Sequence, residues 1–293
     1  MDNIIDKYID YIIKDKNLSQ NTILSYKSDL KKYIKHLENN STDYISVSEN
    51  DIFSFLIQLQ KSNTSISTIS RIISSIKSFH EFLFNTRISD NNPARKIKKP
   101  KVERPKMDIL TQEEVELLLN APSIENTKGI RDKAILELFY ATGIKVSELI
   151  KLDIDDVNLN MDYINCENKK NTRTIPISNT SKKYTQKYLD DSRMNMVKNK
   201  DEKALFVNSK GERFTRQGLW KIIKKYTQNI NLDKNVTPTM LRHSFAIHLL
   251  KKGANLSVVG KILGNNNLTS LQIYLNHIDK NIRKELKENH PRL

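Results

Sequence analysis

Thr237-Pro238-Thr239-Met240-Leu241-Arg242-His243-Ser244-Phe245-Ala246 is the stretch on which the reading of this chain turns. From Met240 onward the residues are helical in pattern, with breaks at Gly253 and Gly264. Three more stretches of the same half go beyond what a generic helix needs. They are Arg131-Asp132-Lys133-Ala134 with Tyr140-Ala141-Thr142-Gly143-Ile144-Lys145-Val146-Ser147-Glu148-Leu149, then Leu263-Gly264-Asn265, then Gln272-Ile273-Tyr274.

Around these stretches the chain is mostly helical. Ile4, Ile5, Tyr8, Ile9, Ile12 and Ile13 share one stripe of a first helix. Ser19 reads as the N-cap of a second, with Ile23, Tyr26, Leu30, Ile34 and Leu37 inward. Ser48 with Asp51 reads as a capping box, and 65–84 repeats the apolar stripe. Four such helices close a bundle over residues 1–88. A basic linker follows over 89–106, where Asn91-Asn92-Pro93 breaks the helical pattern and Pro100 and Pro105 keep the next stretch extended. A second domain, 107–293, opens at a Thr111/Glu114 capping box. In it a helix from Gly129 ends at Gly143. Residues 163–177 form a hairpin about a polar turn from Glu167 to Asn171. Helices follow over 181–198 and 216–229, with a short strand over 204–207.

Lys and Arg outnumber Asp and Glu by 49 to 34, for a net charge of +15. Such an excess favours a polyanion, because each neutralised phosphate releases counterions. The bland alternative is a compositional bias towards lysine in a chain rich in Lys, Ile and Asn. The linker concentrates Arg95, Lys96, Lys98, Lys99, Lys101, Arg104 and Lys106 against one acid, Glu103. Lys96, Lys98, Lys99, Lys101 and Arg104 are therefore candidate DNA contacts; the alternative is a solvated tether. Cys166 is the single cysteine, which excludes an intramolecular disulfide and fits a reducing cytoplasm. No apolar run approaches a membrane span, and the six histidines show no metal-ligand spacing, so neither metal nor cofactor is expected.

Taken together, in order and spacing, the four stretches resemble the tyrosine recombinases of the phage integrase family, with Xer-type enzymes nearest. The resemblance covers nearly the whole chain. It implies a mainly α protein: an N-terminal four-helix, SAM-like core-binding domain, then an α+β catalytic domain with a small β-sheet. It also implies a C-shaped clamp on duplex DNA, assembly as homo- or hetero-oligomers from dimer to tetramer, and a final helix, 280–288, that docks on a neighbour. In this family a tyrosine hydroxyl attacks a backbone phosphate, giving a 3′-phosphotyrosine and a free 5′-hydroxyl. No ATP or metal is consumed. Fixed cations stabilise the phosphorane, and an acid protonates the leaving oxygen.

The family's catalytic set maps unevenly onto this chain. Tyr274 stands at the nucleophile position, nine residues after Asn265. Arg242 matches the second arginine. Lys145 replaces the first, keeping charge but losing the planar fork. Thr239 and Asn265 stand where the family has histidines. The usual hairpin-lysine position holds Asn171, and Lys170 is the nearest lysine able to serve. His243, one step of about 100° from Arg242 along the helix, is expected not to substitute for Thr239. Two functions follow: a site-specific recombinase, or a DNA-binding pseudo-recombinase with an architectural or regulatory role. A relaxing activity of the type IB topoisomerase kind is a more distant third.

Overall fold

The computed structural model describes residues 2–15, 18–102, 107–168, 171–265, 271–275 and 277. The chain forms two compact units, Met1–Pro105 and Lys106–Leu293. No helix among the described residues is long and apolar enough to cross a membrane.

The first unit contains α1 (Asp2–Asp15), α2 (Gln20–Asn39), α3 (Glu49–Lys61) and α4 (Ile66–Asn85). Their starts are set by local chemistry. Ser19 accepts from the Thr22 amide, Ser65 from that of Thr68, and Ser48 and Asp51 complete a reciprocal capping box. The apolar stripes meet in one core around Tyr8, Leu30, Tyr33, Ile72, Phe79 and Leu83. Inside it the Tyr33 hydroxyl lies 2.9 Å from His80 Nε2. Burial pushes the His80 imidazole down to about 4.

The basic segment departs from the extended run expected of it. Residues 93–96 form turns, and Ala94 and Ile97 are buried in the core of the first unit. Lys77 Nζ donates to the carbonyls of Arg95 (3.0 Å) and Ile97 (2.9 Å). Two apolar residues thus anchor a segment whose charge alone argued for solvent. Lys96, Lys98, Lys99 and Lys101 remain exposed. Arg104 lies outside the described residues.

The second unit is built on α5 (Gln112–Asn120), α6 (Thr127–Thr142) and α7 (Val146–Leu149). Thr111 and Glu114 form the expected capping box. α6 begins earlier than its pattern suggested, because Asn126 accepts from the Gly129 amide. It is buried almost all round, and it ends where Gly143 turns to φ 55°. The hairpin pairs β2 (Tyr163–Asn168) with β3 (Asn171–Pro176), and a short β1 (Val157–Asn158) joins it antiparallel in the order β1-β2-β3. The ladder reaches Asn168 opposite Asn171, further than the five-residue turn expected. Cys166 lies buried in β2, where burial pushes its thiol up to about 12.

α8 (Asn179–Tyr188) passes through a π-helical stretch, Leu189–Arg193, into α9 (Met194–Met196). The strand expected over 204–207 is absent. Ala204 and Val207 make only isolated bridges, to Asp153 and Arg213. The buried guanidinium of Arg193 takes the carbonyls of Glu202, Ala204 and Leu205. Those acceptors are spent on a side chain instead of a partner strand. α10 (Arg216–Asn229), α11 (Pro238–Lys251) and α12 (Leu256–Leu263) complete the unit, with residues 271–275 again helical. The helix expected over 280–288 lies outside the described residues.

Candidate active site

α11 begins with two complementary signals. Thr237 accepts from the Met240 amide, and Pro238 occupies the first turn, where a missing N–H costs nothing. This start sets Arg242 and His243 on the second turn of a helix whose Leu241, Phe245, Ala246 and Ile247 are buried. Arg242 is itself buried, and its fork spans two backbone carbonyls. Nη1 donates to Gly143 O at 2.6 Å and Nη2 to Leu263 O at 2.8 Å. Both acceptors end helices, α6 and α12, where carbonyls lack intrahelical partners and the dipole favours a cation. Arg242 thus binds three helices into one frame.

Gly143 makes this approach possible. Besides its positive φ, a Cβ there would stand 2.2 Å from Phe245 Cδ1. The loop then delivers Lys145, half-buried, to the start of α7, where its amide donates to Glu148 Oε2 at 2.8 Å.

Glu148 is the anion of the site. Arg173, from β3, grips it with Nη1 to Oε1 at 3.0 Å and Nη2 to Oε2 at 2.8 Å. Burial would raise the Glu148 carboxyl, but these bonds and the Lys145 amide hold it below the usual glutamate range. Arg173 Nε also donates to Ile262 O at 2.9 Å. Its guanidinium lies where a Cβ on Gly264 would stand, 2.8 Å from Cζ. Gly264 is at φ 64°. Its amide bonds Lys261 O (3.1 Å), and the Asn265 amide bonds Gly260 O (3.0 Å). This Schellman pattern fixes the place of Asn265, which is half-buried.

Tyr274 is buried in the cluster of Phe245, Ala246, Ile247, Val259, Leu263 and Leu271. Its hydroxyl lies 2.9 Å from His243 Nδ1, with the rings 5.5 Å apart and steeply inclined. Burial raises the phenol above its ordinary value, and the Arg242 charge opposes this. Burial, then Arg242, lowers the His243 imidazole.

The structure therefore groups Arg242, Tyr274, Asn265 and the Lys145 loop. Thr239 is exposed in the first turn of α11. His243, expected not to substitute for Thr239, stands at the Tyr274 hydroxyl. Measured from Thr239 it is four residues on, which places the two on one face, about 40° apart. Arg173 and Glu148 were not singled out by the sequence reading, which weighed His243 and set it aside, although its four-residue step from Thr239 is a local signal for it. Lys170 lies outside the described residues. Among the described residues no group of three or more His, Cys, Asp and Glu side chains is placed to hold a metal.

In the first unit, Thr22, Ser25, Ser70, Arg71 and Ser74 share the lining of an open groove between α2 and α4 with the apolar surface of Tyr26 and Val102. Arg71 is held there by an ion pair with the buried carboxylate of Asp29 at 2.5 Å.

Known proteins agree with this architecture. The pattern of the phage integrase family matches residues 108–281, and that of the phage integrase N-terminal SAM-like domain matches residues 5–86. The tyrosine recombinase XerD of Oceanobacillus iheyensis is 42% identical over 98% of both chains. The tyrosine recombinase XerC of Herpetosiphon aurantiacus is 37% identical over 94% of this chain and 90% of its own. In structure, the site-specific recombinase XerH bound to its difH substrate, a post-cleavage complex, superposes with a TM-score of 0.75 at 21% identity, covering 94% of this chain and 81% of the other. The two family patterns together span both units and the full-length relatives cover nearly the whole chain, which belongs to the phage integrase family of tyrosine recombinases.

Proposed function

We propose that this chain is a site-specific DNA recombinase that breaks and rejoins strands through Tyr274. The observation that carries this reading is Tyr274, at the family's nucleophile position, packed in one cluster with α11 and α12, the helices that Arg242 ties to α6. The phenolic oxygen attacks a backbone phosphate and forms a 3′-phosphotyrosine, and the 5′ oxygen leaves. Arg242 and Lys145 balance the charge that grows on the non-bridging oxygens. Asn265, held beside Gly264, offers an amide N–H where the family has an imidazole. Lys170 is proposed as the hairpin cation and Thr239 as a hydroxyl donor. With Lys145 and Thr239 in place of stronger donors, the turnover is slow.

Lys96, Lys98, Lys99, Lys101 and Arg104 supply phosphate contacts beside the first unit. The hydroxyls in the groove between α2 and α4 offer short donors to the same backbone. The domain division follows the sequence: a core-binding unit over 1–88, a basic linker over 89–106 and the catalytic unit over 107–293. Two or four protomers act on paired sites, in the cytoplasm.

The test begins by recovering the site from a randomised duplex pool. A nicked suicide duplex carrying it is then incubated with the protein and resolved on a denaturing gel. A covalent adduct that disappears in Tyr274→Phe is the expected result. Site-specific binding with no adduct under any condition overturns strand cleavage and leaves only DNA binding.

A further inference from the structure

We propose that His243 is a catalytic residue of this recombinase, the proton acceptor for the Tyr274 hydroxyl. The inference rests on the recombinase reading above. Its basis is geometric. The two side chains come from separate helical segments, 31 residues apart in sequence, and meet at 2.9 Å between Nδ1 and the phenolic oxygen. The contact is partly buried, in an apolar cluster where water does not replace it readily.

Electrostatics agree with the direction of transfer. A buried phenol in this cluster holds its proton at neutral pH and needs an acceptor to become a nucleophile. The imidazole is held neutral by burial and by Arg242, the charged group whose field reaches both partners. A neutral imidazole with its proton on Nε2 presents the Nδ1 lone pair to the hydroxyl.

The step balances as follows. The phenolic oxygen bonds to phosphorus and the bond from phosphorus to the 5′ oxygen breaks. The hydroxyl proton passes to Nδ1, and the 5′ oxygen takes a proton from water. On religation the 5′ hydroxyl gives back to water the proton it took, its oxygen bonds to phosphorus and displaces Tyr274, and the imidazolium returns its proton to the departing phenolate. The Arg242 charge favours phenolate and disfavours imidazolium, so neither state is trapped.

The experiment measures adduct formation on the suicide duplex by full-length protein, with duplex affinity measured in parallel. His243→Ala is expected to bind within about twofold of the parent and cleave more slowly by about 10²-fold or more, the usual share of a general base. Imidazole added to this variant restores cleavage. His243→Asn keeps an acceptor near the hydroxyl but cannot take the proton, and it stays slow. An Asn variant at the parental rate overturns the proposal, since orientation alone would then suffice. So does an Ala variant at the parental rate, or one that imidazole fails to restore. A parent that forms no adduct overturns the recombinase reading and this one with it. A parent that cleaves while the His243 variants keep pace overturns this one alone. A nitrogen-15 spectrum of the free protein supplies a readout independent of cleavage. His243 Nδ1 is expected unprotonated at neutral pH, with a shift that moves in Tyr274→Phe; a protonated Nδ1 overturns the assignment.

Discussion

Glu148 and Arg173 close a two-point fork from α7 to β3, with both guanidinium nitrogens within 3.0 Å of a carboxylate that is almost fully buried. Removing one member of such a pair strands the other without a counter-charge. Glu148→Gln is expected to cost about 3 kcal/mol in urea unfolding. The carboxyl sits below its ordinary value, so its contribution is present above pH 4.5 and is lost as pH falls through the lower folded value. The parent should therefore lose this advantage over Glu148→Gln in acid. A constant difference down to pH 2 would show that the pair contributes little.

Gly143 bears on both fold and chemistry. Gly143→Ala meets Phe245 at 2.2 Å and must hold a positive φ. The carbonyl that receives Arg242 Nη1 moves with it. Expected are a stability loss of about 2 kcal/mol or more and loss of adduct formation beyond what that instability explains. Cleavage at the parental rate would show that Arg242 does not depend on this acceptor.

Lys145 and Thr239 limit the rate in this reading. The double variant Lys145→Arg with Thr239→His restores the family's forked cation and imidazole. Adduct formation should rise by about tenfold or more, less than the product of two full donors because such residues act as a unit. A rate that does not rise would place the limit elsewhere.

The exposed lysines of the basic segment should act through phosphate alone. Lys96, Lys98, Lys99 and Lys101 changed together to Gln should flatten the slope of log affinity against log salt by about 3 to 4. Ala94 and Ile97 keep the segment docked, so its path is not altered. An unchanged slope would make the segment a tether.

His80 predicts acid sensitivity in the first unit. Its folded value is about 4, against 6.5 for the free side chain. The unfolded chain gains a proton first, so stability holds above pH 6.5 and falls as pH drops towards 4. Between pH 7 and 5 the loss is about 2 kcal/mol. Hydrogen exchange of α2 and α4 amides reads it, and His80→Gln should remove most of the pH dependence. A parent whose protection is flat over this range would contradict it.

Residues close together in sequence determined where the elements begin and end. Ser19, Ser48, Ser65 and Thr111 cap helices as their neighbours dictate, because a cap reaches only two or three residues. Gly143 and Gly264 end α6 and α12 for an equally local reason, the positive φ that a glycine supplies at no steric cost. The order of Lys145, Thr239, Arg242, Asn265 and Tyr274 was likewise legible, since it is a matter of spacing. What only the tertiary structure decided is which of them meet. The burial of Ala94 and Ile97, the grip of Arg173 on Glu148, and the contact of His243 with Tyr274 join residues from separate elements. Such contacts depend on how helices pack, and no local propensity encodes that. His243 marks the border. Its face of α11 could be read from the four-residue step to Thr239, but its partner could not.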